Sequence, residues 1–162
     1  MKNQVIVENA QEEIRPFRGY KGLTRRAVDL VLEERGFSYR AEVSVTLVSG
    51  EVIRRENKAH RGVDRETDVL SFPLLENGTP EAEDLIGGRV MLGDVLVCPK
   101  VIAAQAEGYG TSFRQEYALM ILHSVLHLLG MDHMEEEEKK EMFALQELLL
   151  SRLGEGSVKT EE

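Results

Sequence analysis

Apolar positions along this chain recur at every second residue in some stretches and at helical spacing in others, and the two periods alternate. Gln4 to Glu8 (QVIVE) is a short β-prone run, and from Leu23 to Glu34 the apolar Leu23, Val28, Val31 and Leu32 fall on one helical stripe that Gly36 closes. Val43, Val45 and Leu47 alternate with Ser44 and Thr46, which predicts a strand with one wet face, and Ser49-Gly50 reads as the turn that ends it. A helix is expected from about Glu51 to His60, then a compact strand over Val69 to Phe72 ended by Pro73. Glu76 to Asp84 (ENGTPEAED) is an acidic, turn-rich loop and the best candidate for an insertion. Arg89 to Cys98 resumes as a strand in which Gly93 marks a bulge or a close backbone approach, and Pro99 suits the first turn of the following helix.

Ser112 and Gln115 have capping-box spacing and open a helix with the interior EYALMILHSVLHLL, which Gly130 ends. A last helix starts near Glu135, its glutamates favourable at a positive helix N-terminus, with Met142, Phe143, Leu145, Leu148 and Leu149 expected to point inward. The pattern implies one α/β (α+β) domain over residues 1–153, a small mixed β-sheet flanked by helices, and a polar tail over 154–162 that is expected to fray.

Composition narrows the function. The short, charge-interrupted apolar runs and the start MKNQVIVENAQEEI predict neither secretion nor membrane insertion, so a cytoplasmic location is expected. The single cysteine, Cys98, excludes an intramolecular disulfide and a four-cysteine metal knuckle; it reads as a small core residue. A net charge of −9 argues against indiscriminate attraction to nucleic acid, so a polyanion would need a local basic patch.

The segment His123-Ser-Val-Leu-His127-Leu-Leu-Gly130-Met-Asp132-His133 carries metal-ligand spacing. His123 and His127 lie one turn apart on a helical face, and Gly130 lets the chain fold back so that His133 reaches the same point. Three nitrogens then hold one zinc ion, or another divalent transition metal, on the penultimate helix and the turn after it. Such a three-ligand site keeps a fourth position for water, whose pKa falls to roughly 7. Separate buried partners for three histidines among Val125, Leu126 and Leu129 would be the costlier explanation. The spacing is that of a long metallopeptidase motif, but the residue that should be its glutamate base is Ser124, whose hydroxyl is no base near neutral pH. A metallopeptidase-like hydrolase therefore stands as the lesser reading, and the second catalytic group must come from elsewhere.

The same segment resembles the H-G-x-L-H-L-x-G-x-D-H motif of the bacterial YbeY family, with serine at its second position. Asn57-Lys-Ala-His-Arg61-Gly-Val-Asp64-Arg-Glu-Thr67-Asp68-Val-Leu-Ser71-Phe72-Pro73 is similar to that family's N-x-x-x-R-x-x-D-x-x-T-D-V-L-S-F-P block, and Gly93-Asp94 with Val95 and Val97 resembles a family strand. The resemblance runs from about residue 4 to residue 150 and implies a metal-dependent, single-strand-specific endoribonuclease with zinc on the three histidines. It implies ribosomal RNA as substrate, 3′-end processing of 16S rRNA in ribosome maturation and quality control, and small-subunit proteins or assembly factors as partners, with no DNA or membrane partner. It also implies a functional role for Arg61. A non-catalytic, metal-stabilised assembly factor is the remaining alternative.

Arg61 has local support. Arg54, Arg55, Lys58, Arg61 and Arg65 outnumber Glu56 and Asp64 by three charges, which is the basic patch that a polyanion needs. An arginine fork grips a phosphate through parallel hydrogen bonds, although an exposed helix with ordinary surface ion pairs explains the same charges. Asp68 and Asp94 either orient a histidine's second ring nitrogen or cap a turn or strand end. Asp132 is a base, an outer partner of His133, or the first residue of an Asx turn, and His60 reads as a solvated loop histidine.

Overall fold

In the computed structural model, which describes residues 2–131 and 135–155, those periods become a five-stranded mixed sheet with helices on both faces. Chain order is β1 (Gln4–Asn9), α1 (Tyr20–Glu34), β2 (Arg40–Leu47), α2 (Gly50–Arg61), β3 (Val69–Pro73), β4 (Leu85–Ile86), β5 (Arg89–Val97), α3 (Pro99–Tyr109), α4 (Phe113–Leu128) and α5 (Glu136–Arg152). The strands lie in the order β1-β2-β5-β3, with β4 pairing the start of β5. β1, β2 and β5 run parallel, while β3 and β4 are antiparallel to β5.

Alternation decides which face each strand residue takes. Ala41, Val43, Val45 and Leu47 of β2 are buried and join Val95 and Val97 of β5 in the main core beneath α1, α4 and α5. Leu70 of β3 and its cross-strand partner Leu96 face the other way and form a smaller cluster with Ile53 of α2, Val48 and Cys98. α4 and α2 therefore cover opposite faces of the sheet near its β3 edge. Cys98 is fully buried there, and burial pushes its thiol pKa up.

Several boundaries differ from expectation for local reasons. Ser49 does not close a turn: its Oγ accepts the Val52 N–H at 3.2 Å, making it the N-cap of α2. α1 starts a turn before Leu23 because Gly19, at φ 88°, lets the chain enter the helix with no side-chain cap. Gly93 fulfils both of its readings. The β2–β5 register shifts opposite it, between Glu42 and Val43, and at φ 150° a β-carbon there would collide with the Phe72 carbonyl and stand 2.9 Å from Leu128 Cδ2. The acidic segment forms two 3₁₀ turns, Glu76–Gly78 and Ala82–Asp84, and Gly78 lies so close to the Leu129 carbonyl that a side chain would not fit.

Ser112 does cap α4, its Oγ accepting the Gln115 N–H at 3.0 Å, but the Gln115 side chain donates to the Glu155 carbonyl at 3.1 Å instead of completing a box. Glu155 is also paired to Arg114 at 2.8 Å, so Gly154 and Glu155 are held against α4 where fraying was expected; residues 156–162 lie outside the described residues. On α5 the inward stripe is Met142, Gln146, Leu149 and Leu150. Phe143 and Leu148, expected inside, are 63% and 50% exposed, because the face that packs on α4 is rotated away from them. No helix among the described residues is long and apolar enough to cross a membrane.

One buried polar pair gives the fold a pH limit. Tyr117 of α4 is fully buried with its hydroxyl 2.6 Å from Thr24 Oγ1 of α1, and burial pushes its pKa up to about 12. The unfolded phenol ionises near pH 10 while the folded one keeps its proton, so stability is complete below pH 10 and falls as pH rises toward 12. The loss is about 2–3 kcal/mol over that window. Denaturant melts at pH 9 and pH 11 will show it, and Tyr117→Phe will flatten that part of the pH dependence.

Candidate active site

Between Ile121 and Leu128 every residue of α4 is buried except His123 and His127, which are half-buried and lie one turn apart. Each buried leucine, isoleucine or valine on that turn contributes roughly 1.5–3 kcal/mol, so the helix cannot rotate to hide the imidazoles. Ser124 points into the core, its Oγ donating to the Met120 carbonyl at 2.8 Å, and is fully shielded from solvent. It takes no part in chemistry at the imidazoles.

The two rings stand at 76° with centroids 4.5 Å apart, and their Nε2 atoms are 3.0 Å apart. Nitrogens held tetrahedrally at zinc distances of about 2.0–2.1 Å stand roughly 3.3 Å apart, so the pair fits one shared cation with little adjustment. His123 Nδ1 lies 2.6 Å from Gln146 Oε1 of α5. Past Leu128 the Gly130 N–H donates to the His127 carbonyl at 2.9 Å and the Met131 N–H to the Leu126 carbonyl at 3.0 Å. With Gly130 at φ 92° this is a Schellman stop, which ends α4 where the sequence predicts. Asp132 and His133 lie outside the described residues, and among the described residues no group of three or more potential ligands shares a point.

The imidazoles open onto a cleft of about 480 Å³ that straddles the edge strand β3. Ser71, Phe72 and Pro73 line it, His123 and His127 border it from α4, and His60 and Arg61 border it from the last turn of α2. Arg61 is thus brought to the same cleft as the histidine pair. Asn57, 3% exposed, fixes the loop after α2 by donating from Nδ2 to the Arg65 carbonyl at 2.9 Å. Arg54 is neutralised by Asp64 at 2.8 Å, and each draws the other's pKa toward its charged form. Arg55, Lys58, Arg61 and Arg65 are exposed and make no ion pair among the described residues, so the local positive charge of the patch is theirs.

Asp68 lines the cleft but spends its carboxylate on structure: Oδ1 accepts the Val69 N–H at 2.7 Å and Oδ2 accepts from Gln105 Nε2 at 3.1 Å. That is the strand-end cap of the two readings. Asp94 is exposed on the opposite face, in a separate groove with Ser44 and Glu56, and is not brought to the imidazoles. His60 is no free loop histidine. It sits on α2, 3.1 Å from Glu56 and edge-on to Phe72 at 5.0 Å. Gln146 and Phe72 are the site residues that chemistry-based reading of the sequence passes over; a glutamine set within the apolar stripe of α5 is the signal that points to the first.

Fold and site together define a small mixed-sheet α/β domain in which a histidine-bearing helix backs an arginine-edged cleft. Residues 6–154 match the family described as Endoribonuclease YbeY, and the chain belongs to that family. It is 40% identical over 158 residues to the Endoribonuclease YbeY of Caldanaerobacter subterraneus, covering 93% of this chain and 97% of that protein. The Bacillus licheniformis Endoribonuclease YbeY is 47% identical over 123 residues, covering 75% of this chain and 77% of that one. The solution structure of TM1509 from Thermotoga maritima superposes with a TM-score of 0.59 at 27% identity, covering 93% of this chain and 89% of that one.

Proposed function

We propose that this chain is a zinc-dependent endoribonuclease that cuts single-stranded RNA in the cytoplasm, acting in ribosome maturation and quality control by processing the 3′ end of 16S ribosomal RNA. Small-subunit proteins or assembly factors are its partners. The observation that carries the reading is the pair of Nε2 atoms 3.0 Å apart facing a cleft edged by Arg61, in a chain whose relatives are named for endoribonuclease activity.

His123, His127 and His133 would hold the ion. When bound, it supplies Lewis acidity and eases deprotonation of a water near neutral pH. Arg61 grips the non-bridging oxygens of the scissile phosphate through parallel hydrogen bonds and opposes the charge that grows on them. Arg55, Lys58 and Arg65 draw the RNA backbone to the cleft against the net charge of −9, so binding weakens with salt. The buried, back-bonded Ser124 speaks against a peptidase.

Full-length protein purified without chelator should carry about one zinc per chain by mass spectrometry. It should cleave unstructured RNA, spare duplex RNA and leave peptides intact. Peptide hydrolysis alone, or loaded protein that leaves every RNA uncut, overturns the reading. The product ends report the nucleophile, since direct attack by water leaves no cyclic phosphate.

A further inference from the structure

Gln146 is a polar residue on the buried stripe of α5, 8% exposed, with the buried Met142 and Leu149 one turn to either side. Glutamine is mostly a surface residue, and one fixed in a core requires a partner for its amide. Its partner is His123, across a 2.6 Å contact between Oε1 and Nδ1. We infer that Gln146 is a positioning residue: it fixes the proton of His123 on Nδ1, which leaves Nε2 unprotonated, an acceptor toward His127 and a ligand for the cation of the proposed zinc site, the reading on which this inference rests.

A neutral imidazole has one N–H and one bare nitrogen, and the bond made by one ring nitrogen decides the state of the other. With the amide oxygen toward the ring, Nδ1–H donates to Oε1 and the Nε2 lone pair points at His127 Nε2, 3.0 Å away. With the amide turned around, its N–H₂ would donate to Nδ1 and the ring proton would move to Nε2. His123 would then carry its proton on Nε2, with no lone pair there to offer a cation. The amide orientation therefore decides whether His123 Nε2 can accept from its neighbour and bind a cation, or is itself a donor. α5 follows the ligand-bearing turn in the chain, so the helix that closes the core also sets the proton position at the site.

The experiment uses full-length protein labelled with ¹⁵N-histidine, first metal-free and then titrated with zinc against a competing chelator. Long-range ¹H–¹⁵N spectra above the imidazole titration should place the His123 proton on Nδ1 in the wild type. In Gln146→Leu, of similar volume but with no acceptor, His123 should become a mixture of tautomers and zinc affinity should fall about 10–100-fold. Gln146→Glu, which can only accept, should keep the Nδ1 proton and hold zinc at least as tightly as the wild type. A wild-type His123 protonated on Nε2, or a Gln146→Leu protein with unchanged tautomer and affinity, overturns the inference. The wild-type and Gln146→Glu spectra decide it even where Gln146→Leu does not fold, and a wild type that takes up no zinc sinks the metal reading while the tautomer still judges Gln146.

Discussion

His127→Ala is expected to abolish stoichiometric zinc and to lower RNA cleavage about 10³-fold, with the protein still folded. A Lewis acid at a phosphoryl centre supplies several kcal/mol of barrier lowering, and each 1.36 kcal/mol is tenfold in rate. His127 occupies one of the two breaks in the buried run of α4 and lines the cleft, so its side chain is not part of the packed core. Circular dichroism should match the wild type and a denaturant melt should match the metal-free wild type, while metal content by mass spectrometry and the initial rate on unstructured RNA both collapse. Full activity in a zinc-free variant would end the proposal.

Arg61→Ala is the second large effect, and it separates chemistry from metal binding. Loss of a group that opposes transition-state charge costs about 10²- to 10³-fold in kcat. Arg61 is exposed, with no ion pair among the described residues, so zinc content and stability should be unchanged. Arg61→Lys restores the charge without the planar fork and should recover only part of the rate. If Arg61→Ala left ribosome association and maturation unchanged, the metal would be a structural staple and the chain an assembly factor; loss of maturation in the folded variant rejects that alternative.

The architecture was legible wherever one residue type allows only one local answer. Gly130 stops α4 and Gly93 admits the Phe72 carbonyl, each through a backbone conformation that glycine alone adopts readily. The alternation of β2 is equally unambiguous, since shifting it by one residue would put Ala41, Val43, Val45 and Leu47 in water. Reading failed where the answer lies in a partner element. α5 is apolar at more positions than one stripe can bury, so whether Phe143 or Leu150 goes inside depends on how the helix lands on α4. Ser49 carries the same letters for a turn and for a cap, and only the helix that follows tells them apart.

The site divides along the same line. The i, i+4 spacing of His123 and His127 is local and puts both rings on one face, whereas Gln146 approaches His123 from 23 positions further along the chain. Asp68 had two sequence readings, and the choice was made by Gln105 on α3, which engages one carboxylate oxygen while the Val69 N–H takes the other. Asp94 resembles a site residue in one dimension, but strand alternation sends it to the far side of the sheet.

The burial of Cys98 bears on how the protein meets oxidants. Its sulfur is sealed between α2 and the sheet and kept as the less nucleophilic thiol, so peroxide or hypochlorite finds no accessible thiolate on this chain. The proposed coordination sphere, made only of imidazoles, would have no sulfur to lose. If the zinc proposal holds, the protein should keep its metal and its activity under a stress that empties cysteine-ligated zinc proteins.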